Sequence, residues 1–218
     1  RVNEVTLKCK VNLETLQKII NFPRLNKLVV EYDQFADFEI NLSKIQEVVL
    51  KCQVSSLTLQ KLFNLPKLQR ITLKTDQLSN FEVESMYANE VKFECEVCQD
   101  TLQKLMNIPY LETIIFQVDQ IAEIMTDQVK ANHIALTCQV KNELLQKLFS
   151  LQKLEKLTLS YNQQINFEVY NENIRYITLN CLLEVETLQK LLNLPKLEQV
   201  TLQHDQASNF DIDNVQVK

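Results

Sequence analysis

Cysteine returns at a fixed interval: Cys9, Cys52, Cys95, Cys138 and Cys181 are each 43 residues apart. Leu16, Leu59, Leu102, Leu145 and Leu188 keep the same period, as do Pro23, Pro66, Pro109 and Pro195, with Gln152 the one departure. A column of Phe38, Phe81, Ile124, Phe167 and Phe210 agrees, as does one of Asp33, Asp76, Asp119, Asn162 and Asp205, each followed by Gln. The 218-residue chain is five copies of one 43-residue unit with no insertion or deletion between them. Periods of this length mark stacked repeats, in which one turn buries its apolar face only against its neighbours.

Each copy holds two strand-like segments. The first reads LKCKV, LKCQV, FECEV, LTCQV or LNCLL, and Val91, Phe93, Cys95 and Val97 show its period of two, the sign of a half-buried strand. The second reads LNKLVVEYDQ, LQRITLKTDQ, LETIIFQVDQ, LEKLTLSYNQ or LEQVTLQHDQ. Steps from strand to strand alternate between 20 and 23 residues. The return after the Cys segment places Leu102, Leu105 and Met106 three and four apart, which makes one helical face, and Pro109 soon after it stops the helix. The other return, carrying DFEI, NFEV, AEIM, NFEV and NFDI, is short and alternating and is expected to be extended.

Steps of 20 to 23 residues with L-x-x-L-x-L-x-x-(N/D) resemble the leucine-rich repeats, and the resemblance covers the whole chain. It implies an α/β leucine-rich-repeat solenoid, a right-handed α/β horseshoe with a parallel concave sheet of about ten strands. Residues 1–218 then form a single array of five double repeats. The Cys segments depart from the usual pattern, because Cys stands two residues after the second leucine-like position and no polar Asn position follows. Leu73, Phe116, Leu159 and Leu202 are expected to form one inward column, the cysteines another, and the Phe column a spine near the convex wall. Both ends fall within a repeat and no polar capping repeat is present, so the array is expected to be part of a longer solenoid.

Composition excludes several functions. Hydrophobic residues are 45% and charged residues 23%, which argues against disorder. The net charge is −5 with no basic block, so nucleic acid is not the expected partner. No apolar run approaches the roughly 18 residues of a membrane span, and no cleavable leader is recognisable. There is no glycine, which removes every Gly-rich phosphate loop and leaves turns to Asn, Asp, Ser and Pro.

The conspicuous polar and thiol columns read as structure. Cysteines on alternate strands of a sheet are about 10 Å apart, too far for a disulfide, so they are expected to be reduced, buried small hydrophobes in a cytoplasmic protein. Cys98 makes a lone Cys95-x-x-Cys98; on a strand the two face opposite sides, and no second ligand pair completes a zinc site. The Asp column is expected to satisfy loop backbone, and because Asp cannot donate, the ladder leans on the adjoining Gln. The Gln-Lys pairs, such as Gln103-Lys104, form a solvated file on the helices. His133 and His204 are not in matching positions and have no carboxylate or nucleophile beside them. No catalytic residue, metal or cofactor is expected, and the chain is read as a non-enzyme.

What remains is the outward face of the strands. Arg70, Thr72, Lys74, Lys92, Glu94, Ile115, Gln117, Lys156, Thr158, Tyr176 and Thr178 are the candidate partner contacts, with Tyr176 the best single anchor and Tyr32 and Tyr161 at strand ends. Thr72, Thr158, Thr178 and Thr201 share one register. The expected function is a protein-interaction scaffold that binds a macromolecular partner through this face. A substrate-recognition arm of a ubiquitin ligase is an alternative by family analogy, and a structural element of a large assembly is another. Nothing in the sequence sets an oligomeric state.

Overall fold

The computed structural model describes residues 2–33, 44–77, 86–119, 128–163, 165, 167–169 and 171–203. Contacts divide the chain into two units, Arg1–Leu111 and Glu112–Lys218. The first runs β1 (Glu4–Leu7), α1 (Leu13–Ile20), β2 (Lys27–Val30), β3 (Glu47–Leu50), α2 (Ser56–Phe63), β4 (Arg70–Leu73), β5 (Glu90–Phe93) and α3 (Gln99–Met106). The second runs β6 (Thr113–Phe116), β7 (His133–Leu136), α4 (Asn142–Phe149), β8 (Lys156–Leu159), β9 (Tyr176–Leu179), α5 (Val185–Leu192) and β10 (Gln199–Leu202). Within each unit the strands lie in chain order, and each pairs in parallel with the next. A helix follows the first strand type, as the leucine spacing predicts. The extended returns fall largely on residues outside those described; Phe167–Val169, which are described, are not helical.

The register is uniform. Lys27 pairs with Glu47, Glu47 with Arg70 and Arg70 with Glu90; Thr113 pairs with His133, His133 with Lys156, Lys156 with Tyr176 and Tyr176 with Gln199. Alternation then sends the second and fourth residues of every strand inward. Leu28, Val48, Ile71 and Val91 are buried in one unit, and Ile114, Ile134, Leu157 and Ile177 in the other. Leu73, Phe116 and Leu159 are inward as predicted, but Leu202 is 52% exposed, since it lies on the edge strand β10. The helices cover this inner face with Leu59, Leu62 and Phe63 of α2 and Leu102, Leu105 and Met106 of α3. Each such side chain gains about 1.5–3 kcal/mol on burial. Phe167 packs edge-on against Phe149 with ring centroids 6.0 Å apart; the rest of its column, Phe38, Phe81, Ile124 and Phe210, lies outside the described residues.

The absence of glycine has a simple counterpart. Among the described residues none has a positive φ, so no turn there needs the left-handed region that favours glycine. Helices end instead on Asn21, Asn64, Asn107, Ser150 and Asn193, all with negative φ.

The cysteines correct the sequence reading. All six are thiols, but none is core: Cys9 is exposed and the other five are half-buried. Each column member sits just beyond its strand, and in four of the five the thiol caps a carbonyl of the preceding strand: Cys52 Sγ donates to Val30 O at 3.7 Å, Cys95 to Leu73 O at 3.6 Å, Cys138 to Phe116 O at 3.8 Å and Cys181 to Leu159 O at 3.5 Å. Partial burial pushes the Cys95 thiol up to about 11, with Asp76 and Glu94 adding to it, and that of Cys138 up to about 11, with Asp119 adding. Cys98 is not on a strand at all; it is the N-cap of α3 and its Sγ lies 3.3 Å from Thr101 Oγ1. Among the described residues no cluster of His, Cys, Asp and Glu could hold a metal ion.

The Asp-Gln column is the polar frame that joins successive turns. Gln77 is fully buried. Its Nε2 donates to Cys52 O at 3.0 Å and Thr75 O at 2.9 Å, and its Oε1 accepts from Val54 N at 3.1 Å. Gln163 repeats the arrangement with Cys138 O at 2.6 Å, Tyr161 O at 3.5 Å and Val140 N at 3.1 Å. A donor and an acceptor on one side chain are what a pair of carbonyls and an N–H require, and an aspartate has no donor. In two other copies the Asp of the column serves the next helix: Asp33 Oδ2 accepts from Ser55 N at 2.7 Å, and Asp119 Oδ1 from Lys141 N at 2.9 Å, both N-cap residues. Buried threonines on the helices complete the frame, as Thr101 Oγ1 donates to Gln77 O at 2.6 Å.

Candidate interaction surface

The first and third residues of every strand form the sheet face opposite the helices. In the unit Arg1–Leu111 the first file is Glu4, Lys27, Glu47, Arg70 and Glu90, so charge alternates from strand to strand. Lys27 Nζ lies 3.5 Å from Glu4 and 3.3 Å from Glu47, and Arg70 lies 2.9 Å from Glu47. Just beyond the strand ends, Lys51 pairs with Glu31 at 2.8 Å and Lys74 with Glu94 at 2.5 Å, and Lys92, within β5, reaches Glu94 at 2.7 Å. Desolvation opposes the Glu94 charge, yet the two lysines hold its carboxyl below the usual value; desolvation likewise opposes the Lys27 charge, yet Glu47 and Glu4 raise that ammonium above its own.

Between these rows Val29, Val49 and Thr72 are buried although they point away from the helices. Rows of long charged side chains flank them on either side. Thr72 is therefore closed to a partner. Arg70, Lys74, Lys92 and Glu94 are on the face as predicted, but each is engaged with an opposite charge of the same chain. Exposed pairs of this kind are worth only about 0–1 kcal/mol each.

The unit Glu112–Lys218 presents a different face. Its first file is Thr113, His133, Lys156, Tyr176 and Gln199; its second is Ile115, Ala135, Thr158, Thr178 and Thr201. Lys156 is the one lysine or arginine among these ten, and it is in no ion pair among the described residues. Gln117, Thr137, Ser160, Asn180 and Gln203 follow directly beyond the strands. Thr158, Thr178 and Thr201 lie side by side, as their shared register predicts. Tyr176 is 37% exposed, and its hydroxyl donates to Glu198 Oε2 at 3.1 Å, a bond that raises the phenol pKa. Tyr161 is exposed beyond β8, and in the other unit Tyr32 is exposed beyond β2.

His133 belongs to this face, two residues before Ala135, and the sequence reading passed over it. Its Nε2 is 3.0 Å from Thr158 Oγ1 and its Nδ1 3.5 Å from Thr113 Oγ1. Burial, with the Lys156 charge beside it, lowers its pKa to about 4. The ring is neutral at physiological pH, with one N–H and one lone pair facing two hydroxyls that can each donate or accept. The repeat alone was enough to place it, since His133 stands 43 residues before Tyr176, which was already assigned outward. His204 and Asp205 lie outside the described residues. Among the described residues the face offers hydroxyls, amides, a phenol and one cation. No helix among the described residues is long and apolar enough to cross a membrane.

Comparison with protein-family models, with curated proteins and with solved structures gives no match to this chain.

Proposed function

We propose that this chain is a leucine-rich-repeat solenoid acting without catalysis as a protein-interaction scaffold, and that its partner docks on the open sheet face of β6–β10. One observation carries the reading. Ile115, Lys156, Thr158, Tyr176 and Thr178 stand on a sheet face backed by a fully packed core, and ion pairs do not consume them. A strand-borne face is rigid, so a partner meets side chains already held in place and loses little freedom in ordering them. Tyr176 supplies the aromatic anchor that interfaces favour. The charges of the β1–β5 face are already matched within the chain, so that face offers a partner less to bind.

The test is affinity capture of interaction partners with wild-type protein, an Ile115→Arg, Tyr176→Ala variant, and a Gln146→Arg control on the exposed side of α4. Recovery should fall about tenfold or more for the sheet-face variant and stay unchanged for the control. Equal recovery with all three proteins would count against the sheet face as the docking surface.

A further inference from the structure

Three residues ahead of β2, β3, β4 and β5 stand Arg24, Lys44, Lys67 and Tyr87, and the same offset in the next repeat is Tyr110. All five are exposed. The uniform register of the strands places them in one file along the edge where the chain enters the sheet. The tyrosines show that side chains at this offset meet: their rings stack with centroids 5.4 Å apart and an interplanar angle of 17°. The cations therefore follow one another at about the 4.8 Å strand spacing. None of Arg24, Lys44 and Lys67 is in an ion pair among the described residues, whereas Lys27, Arg70, Lys74 and Lys92 on the sheet face all are. The residues one position ahead of the strands are Asn26, Gln46, Gln69 and Asn89, which carry no charge to offset them.

The repeat shows that the fold does not ask for the aromatic pair. The column of Tyr110 holds Arg24, Lys67, Lys153 and Lys196 in the other copies, and that of Tyr87 holds Arg1, Lys44, Lys130 and Asn173. Both columns turn aromatic in the same place, at two positions in contact, with Tyr87 55% and Tyr110 57% exposed. Rings left so open to water add little to the core and are well suited to an interface.

We propose that this edge of the unit Arg1–Leu111 docks an acidic segment of a protein partner, its carboxylates along Arg24, Lys44 and Lys67 and an aromatic side chain on the Tyr87–Tyr110 pair. A nucleic acid fits less well. It draws its affinity from neutralising roughly six to ten phosphates, and this file has three cations on a chain of net charge −5. The site is separate from the β6–β10 face, shares no residue with it, and stands or falls independently of it.

The experiment selects dodecapeptides from a random display library on the wild-type protein, then measures the fluorescein-labelled consensus peptide by anisotropy. A Tyr87→Lys, Tyr110→Lys variant carries lysine, as other copies do at these positions, so it should fold, and its circular dichroism serves as the check. A Lys44→Gln, Lys67→Gln variant tests the cations. The expected consensus places two or more Asp or Glu beside Trp, Tyr or Phe, and its affinity falls at least about fivefold in each variant. Three results would overturn the proposal: no such consensus, a smaller loss in either variant, or a consensus peptide whose binding is lost instead with Ile115→Arg. A labelled oligouridylate that binds the wild type more tightly than the peptide, and is lost in the same variants, would make the edge a nucleic-acid site and overturn it as well.

Discussion

Replacing Gln77 by leucine should be among the most damaging single substitutions outside the apolar core. The side chain is fully buried and meets three backbone groups, Cys52 O, Thr75 O and Val54 N. Leucine is similar in size but offers none of these bonds. Each buried group left without a partner costs about 1–3 kcal/mol, so the three together should cost about 3–6 kcal/mol after some relaxation. That is a large part of the 5–15 kcal/mol typical of a folded domain. Urea unfolding followed by circular dichroism measures it, with Gln53→Leu, an exposed glutamine of the same turn, as a control expected to stay within about 0.5 kcal/mol. Gln77→Glu separates donor from acceptor. Its carboxylate still accepts from Val54 N but faces two carbonyl oxygens, which favours the protonated form and raises its pKa in the fold. Stability lost at pH 7 should then be partly regained near pH 5, where the O–H can donate to one carbonyl. A cost below about 1 kcal/mol for Gln77→Leu, or equal stability of Gln77→Glu at the two pH values, would refute the claim that this glutamine is the polar frame.

Three further outcomes are expected. The folded state holds the His133 pKa at about 4, below the ordinary 6.5, so the unfolded chain takes up its proton first and stability is lost as pH falls through that window. Because the ring is only half-buried, solvent screening reduces the roughly 3 kcal/mol such a shift would carry, and the loss should be about 1–2 kcal/mol; His133→Gln should flatten the stability profile between those pH values, and an unchanged slope would refute the assignment. With their thiols held up to about 11, Cys95 and Cys138 should alkylate with iodoacetamide at pH 8 far more slowly than exposed Cys9, as peptide mass spectrometry of a time course would show, and equal rates would contradict the partial burial. Asp33→Ala removes the acceptor from Ser55 N and from Thr58 Oγ1 at the start of α2 and should cost about 1–3 kcal/mol in urea unfolding.

Much of the fold was legible because the repeat supplies five readings of each position. The leucine spacing of Leu102, Leu105 and Met106 identified a helix, and all three are buried on α3. The need for a donor pointed from Asp to its neighbouring Gln, and Gln77 and Gln163 carry the ladder. Cysteine misled the reading, since alternation suggests a continuing strand while the strands stop two residues earlier, as β5 does at Phe93 before Cys95. A thiol that can cap a carbonyl looks, in sequence, like any small apolar residue. The candidate face was legible as positions but not as a surface. Arg70, Lys74, Lys92 and Glu94 were rightly placed outward, yet only the register shows that Glu47 neutralises Arg70 and that Glu94 is held by Lys74 and Lys92.

The sequence by itself determined the period, the order of strand and helix, and which residues of each strand point inward, because these depend on spacing along the chain. Which side chains became neighbours across turns was decided only by the tertiary structure. Residues 20 or 23 positions apart come to within one strand spacing of each other, and that distance sets whether two charges pair, as Arg70 and Glu47 do, or two rings stack, as Tyr87 and Tyr110 do. Pairing and stacking fall off over a few ångströms, so the composition of a column cannot show whether its members are spent on one another or left for a partner.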